Sequence, residues 1–166
     1  ARRAAPLPPL APRGHNGPMD AIFRRPGEAP TILLGGGSST AFTAEGSETD
    51  GLLSVTESVI APHFAGPRAH FHRRTIDAFY ILEGTLCFHL GGREIEAPSG
   101  SFVLVPPGVV HSFWNHSDVE ARVLNIQLPG GLEQYLKEVA DEASAGPPDP
   151  ERMAQIASAY DFVPVG

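Results

Sequence analysis

One cysteine, Cys87, stands among 166 residues, so the chain can close no internal disulfide and carries no sign of an oxidising compartment. In a strand-forming stretch it reads as a small packing residue rather than a reactive thiol. No apolar run approaches the ~20 residues that cross a bilayer, and a membrane partner is not expected. Cations are scarce as well. Twelve Lys and Arg against 19 Asp and Glu leave a formal net charge of −7, and the basic residues are scattered, so nothing would draw a phosphate backbone and nucleic acid is not an expected partner. Residues 1–20 hold no continuous hydrophobic stretch between charged and small-residue flanks; no secretory signal is expected there, and a cytoplasmic location follows.

Turn chemistry is abundant instead. Eighteen glycines and 17 prolines favour many short strands joined by tight turns over a helical bundle. The length suits one domain with a self-sufficient core. Residues 1–20, with five prolines, read as a Pro-rich extended arm lying on a neighbouring subunit or on its own barrel. Residues 21–130 read as a β-barrel and 131–166 as a C-terminal helical extension. Strands are predicted over 31–34, 40–44, 52–60, 78–83, 85–90, 93–96, 102–105, 109–115 and 120–128, a spacing that belongs to sandwiches and barrels. Gly35-Gly36-Gly37 lacks the spacing of a phosphate-binding loop and reads as a plain turn. Leu132, Tyr135, Leu136 and Val139 recur at helical intervals. A second helix is predicted over 151–162, with Asp149 as its cap and Pro150 at its first position.

The chemistry gathers in two stretches. His70 and His72 are two apart in an extended segment, so both imidazoles share one strand face. Asp77 opens the next apolar run, and His111 follows the Pro106-Pro107-Gly108 turn. Three imidazoles and a carboxylate from separate strands suit one divalent transition metal ion, and iron, nickel, manganese, copper and zinc all accept such ligands. Phe79 and Ile81 alternate with Asp77, and Phe113 with His111, so these three line an apolar substrate pocket beside the ion or belong to ordinary core. Glu57 reads equally as a partner to the ligands or as a solvated outer residue. Asn115 reads as a turn residue, and Gly84 and Gly108 as turns requiring positive φ. His63, His89 and His116 read as surface or structural.

Laid out together, these residues resemble the cupin superfamily in its small single-domain type. The first cupin motif is met by Gly66, His70, His72, Asp77 and Gly84, the second by Gly100, Pro106, Gly108, His111 and Asn115. The text AFYILEG, and later QLPGGLEQYL, is similar to bacterial quercetinase-like dioxygenases. The resemblance implies an all-β jelly-roll barrel, one metal ion at one end of it and a homodimer. It also implies a small-molecule substrate: oxygenation of an enol, phenol or flavonol, with Asp77 as the catalytic base. A redox-neutral cyclase or isomerase and a non-catalytic binding module stand beside that reading, because the fold hosts all of them. The family usually carries Glu where this chain has Asp77, shorter by about 1.5 Å of reach. Asp77 could therefore ligate, act as a base, work through water, or merely cap a turn.

Overall fold

Strict alternation builds the walls. In Ser54–Ile60 every second residue is buried, and the same holds along Ser38–Ala44 and Ala121–Leu128, where one face meets the interior and the other does not. The computed structural model describes residues 19–146 and 149–165; the arm expected over 1–20 lies outside them except for its last two residues. The elements run β1 (Thr31–Gly35), β2 (Ser38–Ala44), β3 (Ser54–Ile60), β4 (His70–Phe71), β5 (Ile76–Glu83), β6 (Thr85–Leu90), β7 (Arg93–Pro98), β8 (Phe102–Val105), β9 (His111–Trp114), β10 (Ala121–Leu128), α1 (Glu133–Ala145), α2 (Pro150–Ala159) and β11 (Val163–Pro164). Among the described residues no helix is long and apolar enough to cross a membrane.

Two antiparallel sheets face each other as a jelly roll, one ordered β1-β2-β3-β10-β5-β8 and the other β11-β4-β9-β6-β7. Their inner faces bury one core in which Ile81, Leu86 and Phe88 are fully enclosed. Phe79 stands 5.2 Å from Phe88 and 5.7 Å from Phe113 between ring centroids, which joins the two sheets at the middle of the barrel. Glu57 lies on the outer face, where its carboxylate accepts from Arg122 at 2.5 Å, so the alternative that placed it beside the ligands does not hold.

Glycine is indispensable at two crossings. Gly84 turns β5 into β6 at φ 72°, and a Cβ there would lie 2.7 Å from the Glu120 carbonyl oxygen. At Gly66, φ is 82° and a Cβ would fall 1.8 Å from the Phe113 carbonyl oxygen, inside any van der Waals contact. Gly66→Ala is expected to destabilise the protein by at least ~2 kcal/mol, a fall of roughly 4–8 °C in Tm for a domain of this size. A thermal melt that superimposes on wild type would contradict the packing described here.

After the barrel, Glu133 opens α1 as a buried carboxylate. Its oxygens accept from the backbone N–H groups of Gly46 at 2.7 Å and Gly131 at 2.6 Å, tying the helix to the loop behind β2. Helix α2 starts as expected, with Asp149 accepting from the Glu151 N–H at 3.0 Å and Pro150 at the first position. It ends early. The sequence pattern predicts a helix to residue 162, but α2 stops at Ala159 and the chain turns back along the barrel as β11, paired antiparallel with β4. Asp161 is the reason. Its carboxylate accepts from the N–H groups of Arg73, Arg74 and Thr75 at 2.7–2.9 Å and from the Thr75 hydroxyl at 2.8 Å, a set of donors no local helix could offer.

Candidate metal centre

His70 on β4 pairs directly with His111 on β9, so these two neighbouring strands present two imidazoles side by side. His72 follows two residues on. Asp77 arrives from the facing sheet, near the start of β5, between Gln127 and Val105 of the adjoining strands. All four are buried, His111 completely. One nitrogen from each imidazole lies within 4.8 Å of the others, and the His70 and His111 rings are 4.2 Å apart between centroids. The three imidazoles assigned as ligands from the sequence thus meet between the sheets, with Asp77 beside two of them.

The hydrogen bonds decide which nitrogen points where. Nδ1 of His70 donates to the Arg68 carbonyl at 2.9 Å, Nδ1 of His111 to the Val109 carbonyl at 3.1 Å, and Nδ1 of His72 to the Asp161 carbonyl. A carbonyl can only accept, so each Nδ1 carries a proton and each ring leaves its Nε2 for the interior of the site. Nε2 of His72 and Nε2 of His111 are buried without any hydrogen-bond partner. Leaving a buried polar atom unpaired costs about 1–3 kcal/mol each. Two such atoms facing one point, next to a third imidazole and a carboxylate, fit a divalent transition ion.

Asp77 Oδ2 stands 3.5 Å from both orphaned nitrogens, too far for a good hydrogen bond. Its other oxygen accepts from Asn125 Nδ2 at 2.6 Å, and the same amide reaches the Ala78 carbonyl at 3.1 Å. Burial alone would raise the carboxyl's pKa; the His111 and His72 rings and the Asn125 amide outweigh it and hold the group well below the ordinary range, so it is ionised. Burial, followed by the neighbouring His111, pushes His70 down to about 3, so this ring is neutral. Burial also opposes charge on His72, yet Asp77 and the Asp161 carbonyl prevail and raise its pKa.

Three residues at this site escaped the sequence reading. Asn125 fixes the carboxylate, Asp161 orients His72 through its carbonyl, and Phe162 stacks on His70 with ring centroids 4.0 Å apart. Tyr135 of α1 continues that stack, 4.6 Å from Phe162 at 18° between planes. Phe79 and Ile81 lie in the buried core and Phe113 packs against it, so Phe162, rather than any of these, is the aromatic in contact with a candidate ligand. Asn115 is a staple, its amide donating to the Ile60, Ala61 and Val119 carbonyls while its oxygen accepts from Ser117.

Fold and donor set define a jelly-roll protein with a candidate histidine-rich metal centre between its sheets. A family model described as the cupin domain matches residues 56–127, a span that includes all four candidate ligands. Quercetin 2,3-dioxygenase of Bacillus subtilis is 28% identical over 128 residues, 73% of this chain and 36% of that protein, so the chain spans about a third of that curated relative. KdgF from Halomonas sp. superposes with a TM-score of 0.60 over 69% of this chain and 98% of its own, at 16% identity. The polyketide cyclase RemF from Streptomyces resistomycificus does so with a TM-score of 0.56 over 66% and 80%, at 18% identity. Over residues 56–127 the chain is thus similar to the cupin domain, and it shares the jelly-roll fold of the two structures it superposes on.

Proposed function

We propose that this protein is a metal-dependent cupin oxygenase of small enol, phenol or flavonol-like molecules. One observation carries the reading: unpartnered Nε2 atoms of His72 and His111 face an ionised carboxylate inside the barrel. A divalent transition ion, held by His70, His72 and His111, would supply Lewis acidity and a coordination position for a substrate oxygen. The protein's own residues set the rest. With Oδ1 engaged by Asn125, Asp77 presents Oδ2 to the site, and this is the atom that takes the substrate's hydroxyl proton. A carboxylate held so far towards its ionised form is a weak base, so it suits a hydroxyl that is already acidic, as an enol or phenol is beside an alcohol. Phe162 and Tyr135 offer an aromatic edge against which a planar substrate could rest. The similarity to a quercetin dioxygenase supports the same substrate class.

Oxygen uptake by protein loaded with iron, nickel, manganese or copper, with a flavonol as substrate, is the test. Consumption of oxygen in step with flavonol loss is expected, and protein loaded with redox-inert zinc should be inactive. Turnover that proceeds without oxygen, or that survives zinc loading, would replace this reading with a redox-neutral cyclase or isomerase. Flavonol binding with no product at all would make the protein a binding module.

A further inference from the structure

On the outside of the second sheet, away from the histidine centre, a thiol, an imidazole and a carboxylate converge. Cys87 of β6 lies opposite Glu96 of β7 and Trp114 of β9, and the alternation that sends Leu86 and Phe88 into the core turns Cys87 the other way. The thiol is nonetheless only 5% exposed. With Glu94, Glu96, Ile95, Trp114 and His116 it lines a concavity of about 270 Å³. Donor atoms of Cys87, Glu96 and His116 all lie within 4.8 Å of one another. Cys87 Sγ and His116 Nδ1 are hydrogen-bonded at 2.9 Å, while His116 Nε2 stands 3.9 Å from a Glu96 carboxylate oxygen.

We propose that Cys87, His116 and Glu96 form a second metal site, for a borderline-soft divalent cation of the zinc type. Sulfur, imidazole nitrogen and a single carboxylate oxygen are zinc's characteristic donors, whereas magnesium and calcium require oxygen throughout. Glu94 adds a second negative charge to the concavity, which favours a dication. Coordination replaces the thiol proton, which passes to solvent, and it removes a hydrogen bond while forming three bonds to the ion. For sulfur and nitrogen to reach one zinc at about 2.3 and 2.1 Å, they must stand roughly 3.5 Å apart. The present 2.9 Å therefore opens slightly on binding, and His116, with 56% of its side chain exposed, is free to rotate by that amount. The site does not depend on the histidine centre, and the reading of one can fail without the other.

Cobalt tests it in the full chain. Cys87 is the single cysteine, so a near-ultraviolet thiolate-to-cobalt charge-transfer band can come from nowhere else. Cobalt in excess over both sites is expected to generate that band in native protein, zinc to abolish it by competition, and His111→Ala to leave it intact. Cys87→Ser should remove the band. His116→Ala, which keeps the thiol, should weaken cobalt binding at this site by at least about tenfold. No band in folded wild type, or a band of unchanged affinity in both His116→Ala and Glu96→Ala, overturns the proposal. Far-ultraviolet circular dichroism on each variant confirms that the protein compared is folded.

Discussion

His72→Ala and, separately, His111→Ala are expected to give folded protein that no longer holds an ion between the sheets. Measured in a Cys87→Ser background, so that only the histidine centre is counted, metal content should fall from about one equivalent to near zero after dialysis. Removing one of three imidazoles takes away a third of the nitrogen donors and leaves Asp77 facing a single orphaned nitrogen instead of two. Folding should survive for a reason visible in the same geometry. Each variant loses one Nδ1 bond to a backbone carbonyl, at a cost of about 1–3 kcal/mol for the acceptor left behind, but it also deletes a buried nitrogen that had no partner. The two effects oppose each other, and a core of packed aliphatic and aromatic side chains remains untouched. Metal analysis by mass spectrometry together with thermal melts checks both halves. A full metal complement in either variant would mean the ion sits elsewhere.

Cutting the chain after Ala159 should be nearly as damaging, although it removes no candidate ligand. The deleted segment supplies the carbonyl that orients His72, the carboxylate that gathers the Arg73, Arg74 and Thr75 amides, the ring that covers His70, and the strand that pairs with β4. Groups that orient a ligand are worth about 10–100-fold in metal affinity when removed singly. With all of them gone, affinity is expected to drop by at least about 100-fold. Asp161→Ala isolates one contribution: it keeps the backbone carbonyl and loses only the carboxylate, so a fall of roughly tenfold is expected. Affinities are to be measured by competition with a chromophoric chelator, well below the melting temperature of every variant, so that general destabilisation does not enter. If the shortened protein binds metal within a factor of a few of wild type, the tail is packing alone.

How much of this was legible beforehand differs from residue to residue. His70 and His72 were readable as a pair because strand alternation is local: two residues apart in extended chain means the same face, whatever the rest of the protein does. His111 was readable through the Pro106-Pro107-Gly108 turn and the spacing to Asn115. The barrel was readable from short strands punctuated by glycine and proline, as at the Gly84 turn between β5 and β6. Asp161 was not. Its helical surroundings gave residues 151–162 a consistent local preference, and the interaction that overrides it is with amides almost ninety positions earlier. Asn125 and Glu133 escaped for the same reason, since a polar side chain within an amphipathic pattern shows neither its burial nor its partner. Cys87 and His116 looked inert singly and acquire meaning only when β6 and the end of β9 are laid side by side.

By itself, then, the order of residues determined most of the strands, though not β4 or β11, the turns between them and the identity of four candidate ligands, because each of these rests on interactions within a few positions. Only the folded molecule decided that each imidazole is protonated at Nδ1, that Asp77 is pinned by Asn125, and that the last residues return to cover His70. Those features depend on contacts between strands and tail brought together by burial of a common core, and burial is a property of the whole chain rather than of any stretch of it.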